Sequence, residues 1–322
     1  MTGSEGAGAE ESRPLVTIGM PTYNGSRFIA QSIESLLAQD YPNWLLIISD
    51  NASTDDTGSI ARSYAARSDR IRYDRSPTNV GISANFNRAL KLAEGRYFMW
   101  AADHDLWGPS LVSRCVAALE ANPAAVLAYP GSLLIDENDA PIEEMADQID
   151  LDQASALARY KRLIWRLAIG NLVYGVARRD ALLATPGFTD VHGMDHALAA
   201  ALVLQGPVLR VEGHLYLRRR NRPVESAAEH RLRALSDIDA ATAATRASVS
   251  TGRLYRPLRD LHVRILRRSR LSAPEKLDAI VATYDCFAQR FEVPSPAVSM
   301  LRLAARVVRL RGRLDRHLGA GD

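Results

Sequence analysis

From Pro14 to about residue 130 the chain alternates between apolar runs and stretches with helical spacing. LVTIGM (15–20), WLLIIS (44–49), IRYDR (71–75), YFMWAA (97–102) and AVLAYP (125–130) have the look of short strands. Most are apolar without a polar alternate. RFIAQSIESLLAQ (27–39) sets Phe28, Ile29, Ile33, Leu36 and Leu37 on one helical face. Residues 82–93 and 110–121 are also helical, and Pro109 suits a first helical position. Ser53-Thr54 with Asp55 and Asp56 forms the cap-like start of another helix. Continuous apolar strands separated by helices of about 10–15 residues predict an α/β fold, a mostly parallel sheet with helices on both faces. Ligands bind such sheets outside the carboxyl ends of the strands.

Beyond residue 130 the pattern loosens. Asp136-Glu137-Asn138-Asp139 predicts a turn within a hairpin, residues 153–167 a helix, and NLVYGVA (171–177) a strand. HGMDHALAAALVLQG (192–206) predicts a helix that starts near Asp195 and stops at Gly206, followed by two short strands, VLRV and HLYLRRR. From about residue 225 the chain is helical in pattern and rich in Ala and Arg, so a boundary is placed at Arg222-Pro223. The expected layout is a leader at 1–13, an α/β domain at 14–222, with a regular half (14–130) and a looser half (131–222), and a helical C-terminal region at 223–322.

Composition narrows this picture. A net charge of +3 over 322 residues gives no argument for nucleic acid as a partner. Two cysteines, Cys115 and Cys286, are too few for a disulfide framework or a thiolate metal site and suit a reducing cytosol. No apolar run reaches the length of a membrane span, and residues 1–13 are small, polar and acidic.

The polar clusters fall at strand ends. Pro21-Thr22-Tyr23-Asn24 follows the first strand, Asp50-Asn51 the second, and Asp103-His104-Asp105 breaks the aromatic run at 97–102. In an extended segment Asp103 and Asp105 share a face, and two carboxylates without a cation repel unless a proton or metal lies between them. Hard oxygen ligands suit Mg²⁺ or Mn²⁺, which bridge to substrate phosphates. The alternative is a solvated loop whose acids cap the helix after Pro109. Thr22 and Asn24 offer a hydroxyl and an amide, Tyr23 a ring to stack on a base, and Asp50 an acceptor for nucleobase or ribose. G-x-G-x-x-G and G-x-x-x-x-G-K-[ST] are both absent from this region. What remains is a nucleotide site that handles phosphates through a metal.

VTIGMPTYNGSRFIAQSIESLLAQDYPNWLLIISDNASTD, then NVGISANFNRALKLAEGRYFMWAAD, then Asp103-His104-Asp105, resemble in order and spacing the motifs of family 2 glycosyltransferases of the GT-A fold. The likeness covers roughly residues 14–220. It implies a GT-A (Rossmann-like) domain and inverting transfer from a nucleotide-sugar of the UDP, dTDP or GDP type. The implied acceptor is a saccharide, lipid-linked glycan or small molecule, and the implied cofactor Mn²⁺ or Mg²⁺. By this resemblance Pro21, Thr22, Tyr23, Asn24 and Asp50 hold the nucleoside, with Asn79 and Asn87 shaping its pocket. Asp103 and Asp105 approach ribose, diphosphate and metal, with Asp105 the expected direct ligand. Gly193-Met194-Asp195 matches a later acidic motif, making Asp195 the expected general base and Asp190 the reserve; Asp195 can also serve as a helix N-cap. Relatives often carry His-Asp-Asp where this chain has Asp103-His104-Asp105, and a histidine after the last strand, where this chain has Leu217-Arg218-Arg219-Arg220. Arg219 or Arg220 either pairs with the diphosphate or lies on a solvated strand end.

Weaker expectations attach elsewhere. Trp107 either packs inside or forms a sugar platform, and His192 and His196 either contact acceptor or sit as solvated helix-start residues. Residues 298–318 carry leucines and arginines in parallel helical stripes, suited to the inner face of an anionic membrane, to packing in the helical region or to a homodimer. The expected location is cytoplasmic. Two rival readings stay open. One is a nucleotidyltransferase, which would want a glycine-rich basic loop after the first strand. The other is a non-catalytic sugar-nucleotide-binding subunit.

Overall fold

The computed structural model describes residues 13–146, 148–167, 170–220 and 250–293. β1 (Val16–Thr22), β2 (Trp44–Asp50), β3 (Ile71–Arg75) and β4 (Tyr97–Trp100) are parallel, with α1 (Ile29–Leu37), α2 (Thr57–Ala65) and α3 (Ile82–Lys91) as crossovers. Every residue of β1, β2 and β4 is buried, as expected for strands covered on both faces. The register pairs Thr22 with Asp50 and Asp50 with Arg75, so the polar ends of three strands form one ledge. Pro21 is tolerated in a central strand because β1 pairs with β4 only as far as Gly19–Trp100. At Gly19 a Cβ would sit 2.7 Å from the Phe98 ring and 3.0 Å from Ala89 Cβ, so a small residue lets α3 pack close.

The sheet continues through β5 (Leu106–Trp107), β6 (Leu127–Ile135), β7 (Pro141–Glu144), β8 (Val176–Arg178) and β9 (Val208–Arg219). Its order is β3-β2-β1-β4-β8-β6-β9-β5, with β7 pairing β6. β8 runs antiparallel to both β4 and β6, and β5 antiparallel to β9. The predicted turn at 136–139 does join a hairpin, β6–β7. Two expectations need correction. The two short strands after Gly206 are one strand, β9, which passes Gly213 at φ +93° while its register against β6 slips near Gly131. Residues 171–174 form a 3₁₀ turn rather than a strand. A Cβ on Gly175 would lie 2.7 Å from Tyr129 Cβ, so the chain passes flush against β6 there and only Val176–Arg178 pairs.

Helices α4 (Leu111–Ala121), α5 (Ala156–Arg166), α6 (Arg179–Leu183) and α7 (Met194–Val203) complete this layer structure. The expected helix opening at Ser53 begins at Thr57, and Asp55 supplies the cap by accepting from Thr57 N at 3.0 Å. Two further helices, α8 (Thr251–Arg268) and α9 (Ala273–Phe291), pack on α7 and α5. Leu258, Leu261, Ile265, Phe287 and Val293 close over Ala197 and Ala201, so the C-terminal helices share a core with the sheet layer. The boundary at 222/223 and the stripes of 298–318 lie outside the described residues. Among the described residues no helix is long and apolar enough to cross a membrane.

Candidate functional site

A cleft of about 710 Å³ opens at the carboxyl ends of β1, β2 and β4. Its walls hold Pro21, Thr22, Tyr23, Asn24, Asn51, Asn79, Asn85, Asp103, His104 and Tyr174. Tyr23 is 47% exposed, a large ring left open at the mouth. Two non-glycine residues beside it take left-handed backbone, Asn24 (φ 52°) and Ala52 (φ 63°). Such conformations persist only where surroundings over-determine them. Here Asn24 N donates to Ser53 Oγ at 3.0 Å and Asn24 Oδ1 accepts from Thr54 N at 2.8 Å. The two strand-end loops therefore hold one another. Asp55 accepts from both Thr57 and Ser26; burial opposes its charge, but those bonds outweigh it and bring its pKa to about 2.

The acidic loop is arranged differently from the extended segment expected. Residues 103–104 make a turn, which breaks the strand alternation. Asp103 faces the cleft and accepts from the Thr22 hydroxyl and from His104 Nδ1 at 2.9 Å. The other ring nitrogen of His104, Nε2, lies 3.8 Å from Asp105 Oδ1. Burial works against charging His104, but Asp103 and Asp105 outweigh it and raise its pKa. Asp105 itself is turned inward at 1% exposure. Its oxygens accept from the Tyr216 hydroxyl and from Arg219 N (2.8 Å), and its carbonyl from Ser32 Oγ (2.7 Å). It ties the loop to β9 and α1, and it is His104 that shares the cleft face with Asp103.

The arginines are sorted by the same alternation. Arg219 is 0% exposed at its side chain and spends its donors on His104 O, Asp136 O, Gln31 Oε1 and Asp139. Its guanidinium also stacks 4.5 Å from the centroid of Phe28. It braces the acidic loop from behind and does not line the cleft. Arg220 is exposed at the end of the strand, its backbone N bonded to Ile135 O. Arg218, absent from the sequence expectations, is the one whose charge reaches His104, Tyr174 and Tyr216.

Asp50 is fully buried behind the ledge, where it accepts from Ser53 N, Tyr73 Oη and Arg75 Nη1. Burial opposes its ionisation, yet these donors lower its pKa. Asn79 lines the cleft and accepts from Asn51 Nδ2 at 2.8 Å. Asn87 instead pins the 187–188 loop through Phe188 N and O, while Asn85, two residues earlier and on the other side of the helix, reaches the cleft and donates to Ser49 O at 2.9 Å. Trp107 is 2% exposed and stacks on Tyr216, so it is a core residue and not a platform. His196 is buried at 7% exposure, and His192 meets Tyr255 Oη at 3.1 Å, so both are engaged by the protein.

Asp195 occupies the first turn of α7 after Gly193 at φ +80°. Its Oδ1 accepts from His196 N at 2.9 Å. Gly170 packs directly on it, since a Cβ there would lie 2.7 Å from Asp195 Cβ. Burial raises the Tyr174 pKa, and Asp105, Arg218, Asp195 and Asp103 all act electrostatically on its phenol. Asp195 acts electrostatically on Tyr174, a residue of the cleft wall, without lining the cleft itself, and Asp190 is in the loop before α7. Among the described residues no group of three or more His, Cys, Asp or Glu is placed to hold a metal ion. Asp103 and His104 together still fit an ion that keeps waters and takes phosphate oxygens, because such ions need few protein ligands.

Gly25 guards this geometry. A Cβ there would overlap Asp103 Oδ2 and lie 2.8 Å from Thr22 Oγ1. Gly25→Ala is expected to displace the Asp103 carboxylate and weaken nucleotide binding about tenfold or more, measured by titration calorimetry. Unchanged affinity would show that Asp103 is not needed where it stands.

A mostly parallel sheet with a polar cleft at the carboxyl ends of its strands, closed by antiparallel additions, is the architecture of the GT-A fold. Residues 17–161 match the model of glycosyl transferase family 2. It is 42% identical over 127 residues to EpsE of Bacillus subtilis (strain 168), which bears a glycosyltransferase name, covering 39% of this chain and 46% of that one. It is 37% identical over 103 residues to WcaA of Escherichia coli (strain K12), named for colanic acid biosynthesis, covering 32% and 37%. The chain spans about half the length, or less, of the curated relatives it matches. Among solved structures it resembles residues 1–349 of TarS from S. aureus, with TM-score 0.62 at 14% identity, covering 85% of this chain and 72% of that one. The same TarS fragment solved with UDP-GlcNAc has TM-score 0.62 at 17% identity, covering 88% and 75%.

Proposed function

We propose that the chain is an inverting glycosyltransferase that moves a sugar from a nucleotide-sugar to an acceptor hydroxyl. The observation that carries this reading is the one cleft in which Tyr23, Asn79, Asp103 and His104 converge at the strand ends. Tyr23 offers its exposed ring to the base and Asn79 a polar edge, while the buried amides of Asn51 and Asn85, bonded to Asn79, Val80 and Ser49, shape the floor beneath them. Asp103 and His104 would hold a divalent ion, Mn²⁺ or Mg²⁺, while Asp105 and Arg219 keep their loop in place. When bound, the ion supplies electrostatic stabilisation of the charge on the leaving diphosphate. Arg218 adds positive charge on the same side. Asp195 accepts the proton of the acceptor hydroxyl as its oxygen attacks the anomeric carbon opposite the breaking bond.

The comparisons support this reading through what the neighbours bind: TarS is known with UDP-GlcNAc and with UDP, and a mannosyltransferase of Pyrobaculum calidifontis with GDP-Man and Mn²⁺. We place the reaction in the cytoplasm, in keeping with Cys115 and Cys286 as buried free thiols.

Thermal unfolding with UDP, dTDP and GDP, each with Mn²⁺ and with EDTA, tests the donor site. The matching diphosphate at about 100 times its Kd is expected to stabilise the fold by about 2.7 kcal/mol. Chelation is expected to remove most of that gain. If no nucleoside diphosphate shifts the midpoint with Mn²⁺ present, the donor assignment is wrong.

A further inference from the structure

Behind Asp195 runs a chain of buried polar side chains that belongs to no donor or acceptor surface. His196 is 7% exposed, and Tyr160, His262 and Thr283 are each 0% exposed. They come from four helices: α7, α5, α8 and α9. His196 Nδ1 lies 3.1 Å from His262 Nε2, His262 Nδ1 lies 3.0 Å from Tyr160 Oη, and Tyr160 Oη lies 2.7 Å from Thr283 Oγ1.

The direction of every bond in this chain follows from its far end. Thr283 Oγ1 donates to the Ala279 carbonyl at 2.8 Å, an atom that can only accept. Its one proton is thus committed, and it must accept from Tyr160. The Tyr160 proton is then used, so its oxygen accepts from His262 Nδ1–H. A neutral His262 with its proton on Nδ1 presents a lone pair at Nε2, which His196 Nδ1–H fills. His196 Nε2 is left as an unprotonated, buried nitrogen without a hydrogen-bond partner. Each ring has a single tautomer compatible with its neighbours. Burial agrees, holding His196 neutral down to about 4 and His262 well below its ordinary pKa.

The chain begins at the residue whose backbone N–H holds the Asp195 carboxylate. Apolar contacts beside it, Leu258 and Phe287 against Ala197 and Ala201, bury the same contact between α7 and the C-terminal helices. They fix a distance, whereas the hydrogen bonds fix the rotation of the first turn of α7. Satisfied buried polar networks rigidify and specify geometry, and from His196 Nδ1 to the Ala279 carbonyl every bond of this chain is made.

We propose that His196, His262 and Tyr160 are positioning residues for Asp195, a one-way hydrogen-bond chain by which helices α8 and α9 set the placement of the first turn of α7. This inference rests on the reading of Asp195 as the general base. On this view the C-terminal helices are part of the catalytic unit.

Tyr160→Phe tests it, since it removes one hydroxyl at nearly constant volume and leaves His262 Nδ1–H without an acceptor. Its kcat per folded molecule is expected to fall about tenfold, with donor KM and diphosphate affinity within about twofold of wild type. Thr283→Val breaks the far end, is expected to give a smaller fall of the same kind, and serves if Tyr160→Phe does not fold. Histidine ¹⁵N spectra are expected to show Nδ1 protonated and Nε2 bare on both rings in the wild type, and mixed tautomers in Tyr160→Phe. Unchanged kcat per folded molecule, even with a lower melting point, would reduce the chain to packing and overturn the inference. Asp195→Asn measured in parallel separates the two claims. Loss of turnover there, with full turnover in Tyr160→Phe, removes only the positioning role. Full turnover in Asp195→Asn removes the base, and the positioning role with it.

Discussion

Asp195→Asn is expected to lower kcat about 10³-fold while leaving donor affinity within about twofold of wild type, in line with the usual contribution of a general base. The substitution keeps what the carboxylate does for the fold. An amide oxygen can still accept from His196 N, the 2.9 Å bond that now holds Oδ1. It keeps the volume beside Gly170, where the fit leaves no room for a larger side chain. What it loses is the capacity to take a proton from an acceptor hydroxyl. Donor binding should survive because Asp195 is outside the cleft wall formed by Tyr23, Asn85, Asp103 and His104. Initial rates with saturating donor, together with calorimetry of the diphosphate, check both halves. Undiminished turnover would shift the role to another acid, Asp190 being nearest in sequence, and total inactivity of the wild type with every donor would favour a non-catalytic binder.

Acidification is expected to destabilise the junction between α7 and the C-terminal helices. His196 titrates near its ordinary 6.5 when unfolded, whereas burial, first, and the charge of Arg290 depress it to about 4 in the fold; Asp195 pulls the other way. His262 is depressed further, by burial and then by His196. The groups facing the pair are Tyr160 from α5, Thr283 and Arg290 from α9 and Asp195 from α7. Between the two values the unfolded chain binds more protons than the folded one, so stability rises with pH there. The contribution is complete above about 6.5 and is lost as pH falls towards 4. From pH 7 to pH 5 His196 alone accounts for about 2 kcal/mol. Urea unfolding at the two pH values measures it, and His262→Met is expected to reduce the difference by removing one of the two buried imidazoles. A stability independent of pH across that range would mean that the imidazoles are not held neutral.

Much of the donor half could be read along the chain. Fully buried parallel strands must be apolar on both faces, so β1, β2 and β4 announce themselves as continuous runs, and their polar ends mark the ledge. Pro21-Thr22-Tyr23-Asn24 and Asp103 all reach the cleft for that reason. The failures cluster where the period of two breaks down. A turn at 103–104 turns Asp105 inward and His104 outward, although an extended reading gives the opposite faces. A slip in the register of β9 against β6 precedes the arginines, and the long-range partners of Arg219, from Gln31 to Asp139, hold its guanidinium behind the loop, so that it is Arg218 whose charge acts on His104 and Tyr174. Asn85 and Asn87 differ by two positions on one helix, and only the orientation of α3 on the sheet selects between them.

Local order of apolar and polar residues was thus enough to determine the α/β class, the strand-end placement of the site and the family resemblance, because burial on both faces leaves a mark in every residue of a strand. The tertiary structure alone decided which side of each turn looks into the cleft and which polar groups are consumed by the protein itself. Those choices depend on partners 30 to 188 positions away, from the Asn24–Thr54 pair to the Gln31–Arg219 contact, and no local pattern encodes them. The same holds for the His196–His262–Tyr160 chain, whose members are unremarkable one by one and acquire a direction only when four helices bring them together.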